Sequence, residues 1–210
     1  QSAMDDFEAQ AVNLLTSPDA AQAFDLEKER PETRDRYGRN QWGQQCLMAR
    51  RLVEAGVEIV TTTFDGPLCG RVANWDDHAV NWDMNTAMLA RLPKYDHIVT
   101  TLIDDLFDRG LDRKVLLIVT GEFGRTPEIN SDAGRDHWSK AFTVVMAGGG
   151  VKGGQVLGAT DAKAAEVTKD PYQVEDLVAT IYDRVGLDFT HEYDTPIGRP
   201  VKLSNGGQVI

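Results

Sequence analysis

The sequence predicts an α/β fold of three layers, α/β/α, with a mostly parallel sheet, and three observations predict it. Apolar, β-branched runs at "VEIVTTTF" (Val57–Phe64), "KVLLIVT" (Lys114–Thr120) and "AFTVVMAGG" (Ala141–Gly149) read as strands, the second and third as strands buried on both faces. Helical patterns lie between them, the alternation that builds a parallel sheet flanked by helices. Glycine or proline marks most of the boundaries.

Taken in order, residues 2–15 have helical character and end near Ser17-Pro18. The stretch "DLEKERPETRDRYGRN" is charged and poor in apolar residues, and is expected to be a solvated connection. From Gln41 to Ala55, Trp42, Cys46, Ala49 and Val53 recur at helical spacing, with Gly56 as the stop. The strand Val57–Phe64 follows, then a long loop. Met84 to Arg109 is the longest helix, with Met88, Leu92, Tyr95, Val99, Leu102 and Leu106 on one face and Pro93 expected to kink or divide it. Gly110 ends it. The last helix opens at Asp170-Pro171, with aspartate as N-cap, proline at the first helical position and Gln173 placed for a capping box. Its apolar face is Val174, Leu177, Val178, Ile181, Tyr182 and Val185.

The 210 residues, 41% hydrophobic and 26% charged, suit a single domain with a full core. A net charge of -11 repels polyanions, so the chain is read as binding neither nucleic acid nor an anionic membrane surface. No run of eighteen apolar residues is present and the first residues lack an export-signal pattern, so neither a membrane span nor a signal is expected. Cys46 lies on an apolar helical face and reads as core; Cys69 is open between free and bridged. The glycine-rich "AGGGVKGGQVLGATD" lacks the Gly-Lys-Ser/Thr ending of a phosphate loop and reads as a tight turn or hairpin. Asp96-His97 reads as a solvated helix face.

In parallel sheets, ligands bind beyond the carboxyl ends of the strands. That rule singles out two loops, one after Val57–Phe64 and one after Val115–Thr120. The first carries Asp65, Asp76, Asp77, His78 and Asn81; the second carries Glu122, Asp132, Asp136 and His137. Carboxylate and imidazole suit zinc or manganese, and a carboxylate-rich subset suits calcium or magnesium. The competing reading is that each aspartate merely orients its histidine or caps a turn. Arg125 and Arg135 flank the second cluster, where a guanidinium can hold a phosphate or sulfate or simply neutralise neighbouring acids. Trp75 and Trp138 adjoin the two histidines and either wall a pocket, stack on a sugar or pack.

The motifs "TGEFGRTP", "GRDHW", "AGGGVKGGQVLGATD", "DLVATIYDRVGLD" and "IGRP", with "NWDDHAVN" in place of a Trp-Asp-x-His loop, together resemble the bacterial family called domain of unknown function 1501. That family in turn looks like a branch of the alkaline phosphatase and sulfatase superfamily. The resemblance implies an alkaline phosphatase-like fold and a hydrolase-like domain that acts on a small-molecule or glycan sulfate or phosphate ester with one or two divalent cations. Asp76, His78, Glu122, Asp136 and His137 would be the metal ligands; Arg125, Arg135, Asn81 and Trp75 would contact the substrate. It also implies an extracytoplasmic, periplasmic location. Phe123 stands where the superfamily has a strand-end histidine, and the superfamily's nucleophile region has no counterpart here. Both departures keep a noncatalytic binding or scaffold role in play, and the second suggests the C-terminal portion of a longer protein.

Overall fold

The computed structural model describes residues 6, 8–9, 11–12, 16–67, 72–73, 75 and 83–210. They fall into two compact units, Gln1–Asp108 with Ser131–Gly134, and Arg109–Asn130 with Arg135–Ile210.

The first unit is helical. Of the helix expected over residues 2–15, the described residues 6, 8–9 and 11–12 are helical and the others lie outside the described set. Helices α1 (Pro18–Phe24), α2 (Pro31–Tyr37), α3 (Gln41–Glu54) and α4 (Met84–Asp108) follow, with a 3-10 turn at Leu26–Lys28 and a short pair β1 (Gly66–Pro67) and β2 (Val72–Ala73). Ser17 caps α1, accepting from the Asp19 and Ala20 amides. Asn40 caps α3 by accepting from Gly43 N at 3.1 Å. Gly43 is required for packing: a Cβ there would run into the Tyr37 carbonyl.

The core of this unit joins Tyr37, Trp42, Leu47, Ala87 and Ile98, all fully buried. The stretch read as a solvated connection is mostly exposed, but it forms α2 and sends Tyr37 into this core. Its Tyr37 hydroxyl donates to Asp105 at 2.8 Å, and its Glu29 carboxylate lies 2.8 Å from the Arg50 guanidinium. Arg50, 3% exposed, also pairs with Glu54 at 2.6 Å and brings its Nε within 3.1 Å of Asp105. The last contact is an ion pair without hydrogen-bond alignment. Charge-rich composition concealed this because the charges solvate one another instead of facing water.

Helix α4 runs unbroken through Pro93. Its buried face keeps Val99, Leu102 and Leu106 of the expected stripe and adds Ala87, Arg91, Ile98, Thr101 and Asp105, whereas Leu92 is 47% exposed. Three polar residues, Arg91, Thr101 and Asp105, had masked part of the stripe. Cys46 is a free thiol at 2% exposure, in the core as expected; Cys69 lies outside the described residues.

The second unit holds the remaining strands: β3 (Leu116–Thr120), β4 (Gly124–Arg125), β5 (His137–Trp138), β6 (Val144–Gly148), β7 (Ala159–Thr160), β8 (Val167–Lys169), β9 (Glu192–Asp194) and β10 (Pro200–Lys202), with helix α5 (Val174–Arg184) before the last pair. Strand β3 pairs antiparallel with β6, Leu116 opposite Gly148 and Thr120 opposite Val144. Every sheet among the described residues is a two-stranded antiparallel pair.

The expected three-layer α/β/α arrangement with a mostly parallel, alkaline phosphatase-like sheet is thus corrected. Parallel neighbours need a crossover, usually helical, and the chain between β3 and β6 supplies only a loop carrying the β4–β5 ribbon. Strand β3 is half-buried and not enclosed on both faces. Val57–Phe64 forms no strand: among the described residues, the backbone from Glu58 to Thr62 makes no hydrogen bond, and Ile59 is 85% exposed. Its β-branched composition favours a pleated ribbon but cannot create one without a neighbour.

Helix α5 begins three residues later than expected. Gln173 is its N-cap, and the capping box is closed by Asp176, whose carboxylate accepts from Gln173 N at 2.8 Å. The chain end is tied to this helix, Gln208 N donating to Asp176 and Ile210 N to Thr180. The glycine-rich segment turns as expected, with Gly148, Gly149 and Gly150 all at positive φ. No helix among the described residues is long and apolar enough to cross a membrane.

Candidate functional site

The loop that follows β3 puts sequence-predicted residues on a defined frame. Gly124 pairs with Trp138, and Arg125 with His137, in the β4–β5 ribbon. A Cβ at Gly124 would meet the Ala141 carbonyl, so glycine lets the two backbones close. The ribbon continues as a loop clamp in which Thr126 N donates to the Asp136 carbonyl at 2.9 Å and Asp136 N donates to Thr126 Oγ1 at 3.1 Å.

Arg125 and His137, as direct cross-strand partners, are neighbours on one side of the ribbon. Phe123 packs on the His137 imidazole with ring centres 4.4 Å apart, and the Arg125 guanidinium carbon lies 6.0 Å from the Phe123 ring. Arg125 Nη1 donates to the Arg135 carbonyl at 3.3 Å. The half-buried Arg135 keeps its Nε buried, without a hydrogen-bond partner among the described residues. Glu122 and His137 are exposed.

Asp136 is adjacent in sequence to His137 but engaged differently. Its carboxylate accepts from Asn130 Nδ2 at 3.2 Å, within the loop clamp. Asp132 belongs to the first unit, where the neighbouring Ala133 carbonyl accepts from Met84 N at 2.8 Å at the start of α4. Asp83 caps the same end, accepting from Thr86 N at 3.0 Å.

In the first unit, Trp75 lies in an aromatic stack. Trp42 stacks on Phe64 at 5.0 Å and on Trp75 at 5.8 Å, and Tyr95 meets both Phe64 and Trp75 edge to face. Two indole N–H groups fix the chain here: Trp42 donates to the Asp65 carbonyl at 3.0 Å and Trp75 to the Phe64 carbonyl at 2.6 Å. Arg91, 2% exposed, has its guanidinium carbon 5.7 Å from the Trp75 ring centre. Sequence reading missed Arg91. The available signal was a charged residue four positions before Tyr95, on the same helical side as Ala87. Asp76, His78 and Asn81 lie outside the described residues.

Glu122, Arg125, Arg135, Asp136 and His137 thus occur within one unit, with Arg125 and His137 in direct register. Among the described residues, no three His, Cys, Asp or Glu side chains come together as a metal-holding group.

No curated protein and no solved structure matches the chain. A family model described as "Protein of unknown function (DUF1501)" matches residues 1–210. The match spans the whole sequence, the β3–β5 region included, and this chain belongs to the DUF1501 family.

Proposed function

We propose that this chain is a hydrolase-like domain that binds the oxyanion of a sulfate or phosphate ester. The observation that carries the reading is the register of Arg125 opposite His137 on the β4–β5 ribbon. A guanidinium offers a planar fork to tetrahedral oxyanions, and an imidazole beside it can donate to the same group. On a chain of net charge -11, such a local donor pair is what an anionic ester requires.

A divalent cation, whether zinc, manganese, calcium or magnesium, is part of this proposal through the family motifs. Glu122 and His137 are candidate donors in the described edge; Asp76 and His78, which the resemblance also names, lie outside the described residues. A bound cation would polarise the ester oxygen. Because no three such side chains meet among the described residues, no reaction step is assigned to it. By the resemblance of the family, the proposal extends to a relation to phosphatases and sulfatases and to an extracytoplasmic location.

The second reading is a noncatalytic binding module. The Phe123 ring against His137 favours it, because an apolar ring takes up space beside the imidazole that a ligand would otherwise use.

The test is binding of inorganic sulfate and phosphate by calorimetry, metal content after supplementation, and turnover of 4-nitrophenyl sulfate and phosphate. Oxyanion binding that Arg125→Ala abolishes, together with metal uptake lost in His137→Ala, is the expected result. A chain that binds neither oxyanion would overturn the proposal; binding without turnover by this chain or by a longer form would select the noncatalytic reading.

A further inference from the structure

On the other side of the same loop lies a cleft of about 590 Å³, within the range of small-molecule sites. It belongs wholly to the second unit and is lined by Trp138, Asn130, Asp136, Glu128 and Lys163 among others. Successive strand residues point to opposite faces, so Trp138 faces away from His137 and Arg125.

The walls of this cleft are braced. The Trp138 indole N–H donates to the Ala165 carbonyl at 2.7 Å, which fixes the ring plane. Ala165 is itself held by a turn in which Asp161 Oδ1 accepts from Ala165 N at 2.7 Å, while Asp161 N donates to the Glu166 carbonyl at 3.0 Å. That turn presents Lys163. The opposite wall is the clamp of Thr126, Asn130 and Asp136. Lys140, paired with Glu166 at 2.7 Å, sets its ammonium 5.2 Å from the centre of the Trp138 ring.

We infer that this cleft binds the ring of a neutral sugar, a site separate from the oxyanion edge and beyond the ester reading. A fixed indole gives a flat apolar surface for the C–H face of a pyranose, and the carboxylates, amide and ammonium around it match hydroxyl groups as donors and acceptors. Two features argue against other small ligands. Glu128 and Asp136 against Lys163 leave the lining net acidic, which disfavours a nucleotide or another anion. Trp138 is the lone aromatic residue of the lining, so a nucleobase would not be sandwiched.

The experiment is saturation-transfer NMR on the 210-residue chain with the methyl glycosides of glucose, galactose, mannose and xylose as probes, followed by titration with the best of them. Binding in the millimolar range is expected. Trp138→Ala should weaken it about ten-fold or more, with Trp138→Phe keeping part of it. Asn130→Ala provides a second variant that leaves the indole in place and should also weaken binding. Inorganic sulfate and phosphate should not displace the glycoside, which separates this site from the oxyanion edge. No transfer to any glycoside, affinity unaltered in both the Trp138 and Asn130 variants, or displacement of the sugar by adenosine monophosphate would each overturn the inference.

Discussion

Arg125 and His137 are register partners across a ribbon only two residue pairs long, and Phe123 touches the imidazole from the same side. The arrangement distinguishes a charge from a fork. Arg125→Lys keeps the positive charge and loses the planar pair of donors. Sulfate or phosphate affinity is expected to fall about ten-fold in this variant, roughly the loss of one charge-assisted hydrogen bond. Calorimetry at fixed ionic strength checks it; unchanged affinity would mean that Arg125 acts only as a diffuse charge.

Arg50 sits among Glu29, Glu54 and Asp105 with almost no solvent contact. Replacing it by alanine leaves carboxylates facing one another without their shared cation. A loss of about 3–5 kcal/mol is expected in urea unfolding. Glu54→Gln should cost much less, because Glu54 is a third exposed and water can replace the ion pair.

Gly43→Ala ought to be stabilising by helix propensity alone, by up to ~1 kcal/mol. Here the added methyl would overlap the Tyr37 carbonyl, backbone that cannot turn aside. A net destabilisation of about 1–3 kcal/mol is expected, seen as a lower unfolding midpoint with an unchanged denaturant slope.

Glu29 and Asp176 are two of four carboxylates, with Asp83 and Asp188, that the fold holds below their usual range. Burial pushes the Glu29 carboxyl up, but hydrogen bonding and charge from Arg50, with Arg51 and a backbone amide, outweigh it and hold the group below its usual value. The Gln173 and Gln208 amides do the same for Asp176. Depressed folded-state values mean that stability is present above the ordinary carboxylate range and is lost as pH falls through it. Thermal unfolding followed from neutral to acid pH should therefore show a steep drop there, and Asp176→Asn should flatten part of it.

Local chemistry was legible where neighbouring residues decide the outcome. Helix α3 with its glycine stop, Cys46 in the core and the glycine turn at 148–150 all follow from short-range pattern. Strand pairing did not, because direction depends on which segment lies alongside: β3 looked like a parallel strand and met β6 antiparallel. The helix face of α4 was misjudged because Arg91 and Asp105 are inside, and polar letters in an apolar stripe read as surface. In the candidate site, sequence marked Glu122, Arg125, Asp136 and His137, but only the register shows that Arg125 faces His137 while Asp136 is spent on Asn130.

The run from Glu58 to Thr62 has a consequence for handling the protein in solution. It is rich in β-branched residues, carries one charge, and is anchored downstream by two indoles at Phe64 and Asp65. A β-branched segment whose amides and carbonyls make no hydrogen bond among the described residues is open to intermolecular pairing. Concentration-driven association, followed by light scattering, is expected to involve this run. A lysine gatekeeper at Ile59, which is already mostly in water, is the substitution that raises the working concentration without disturbing the folded units.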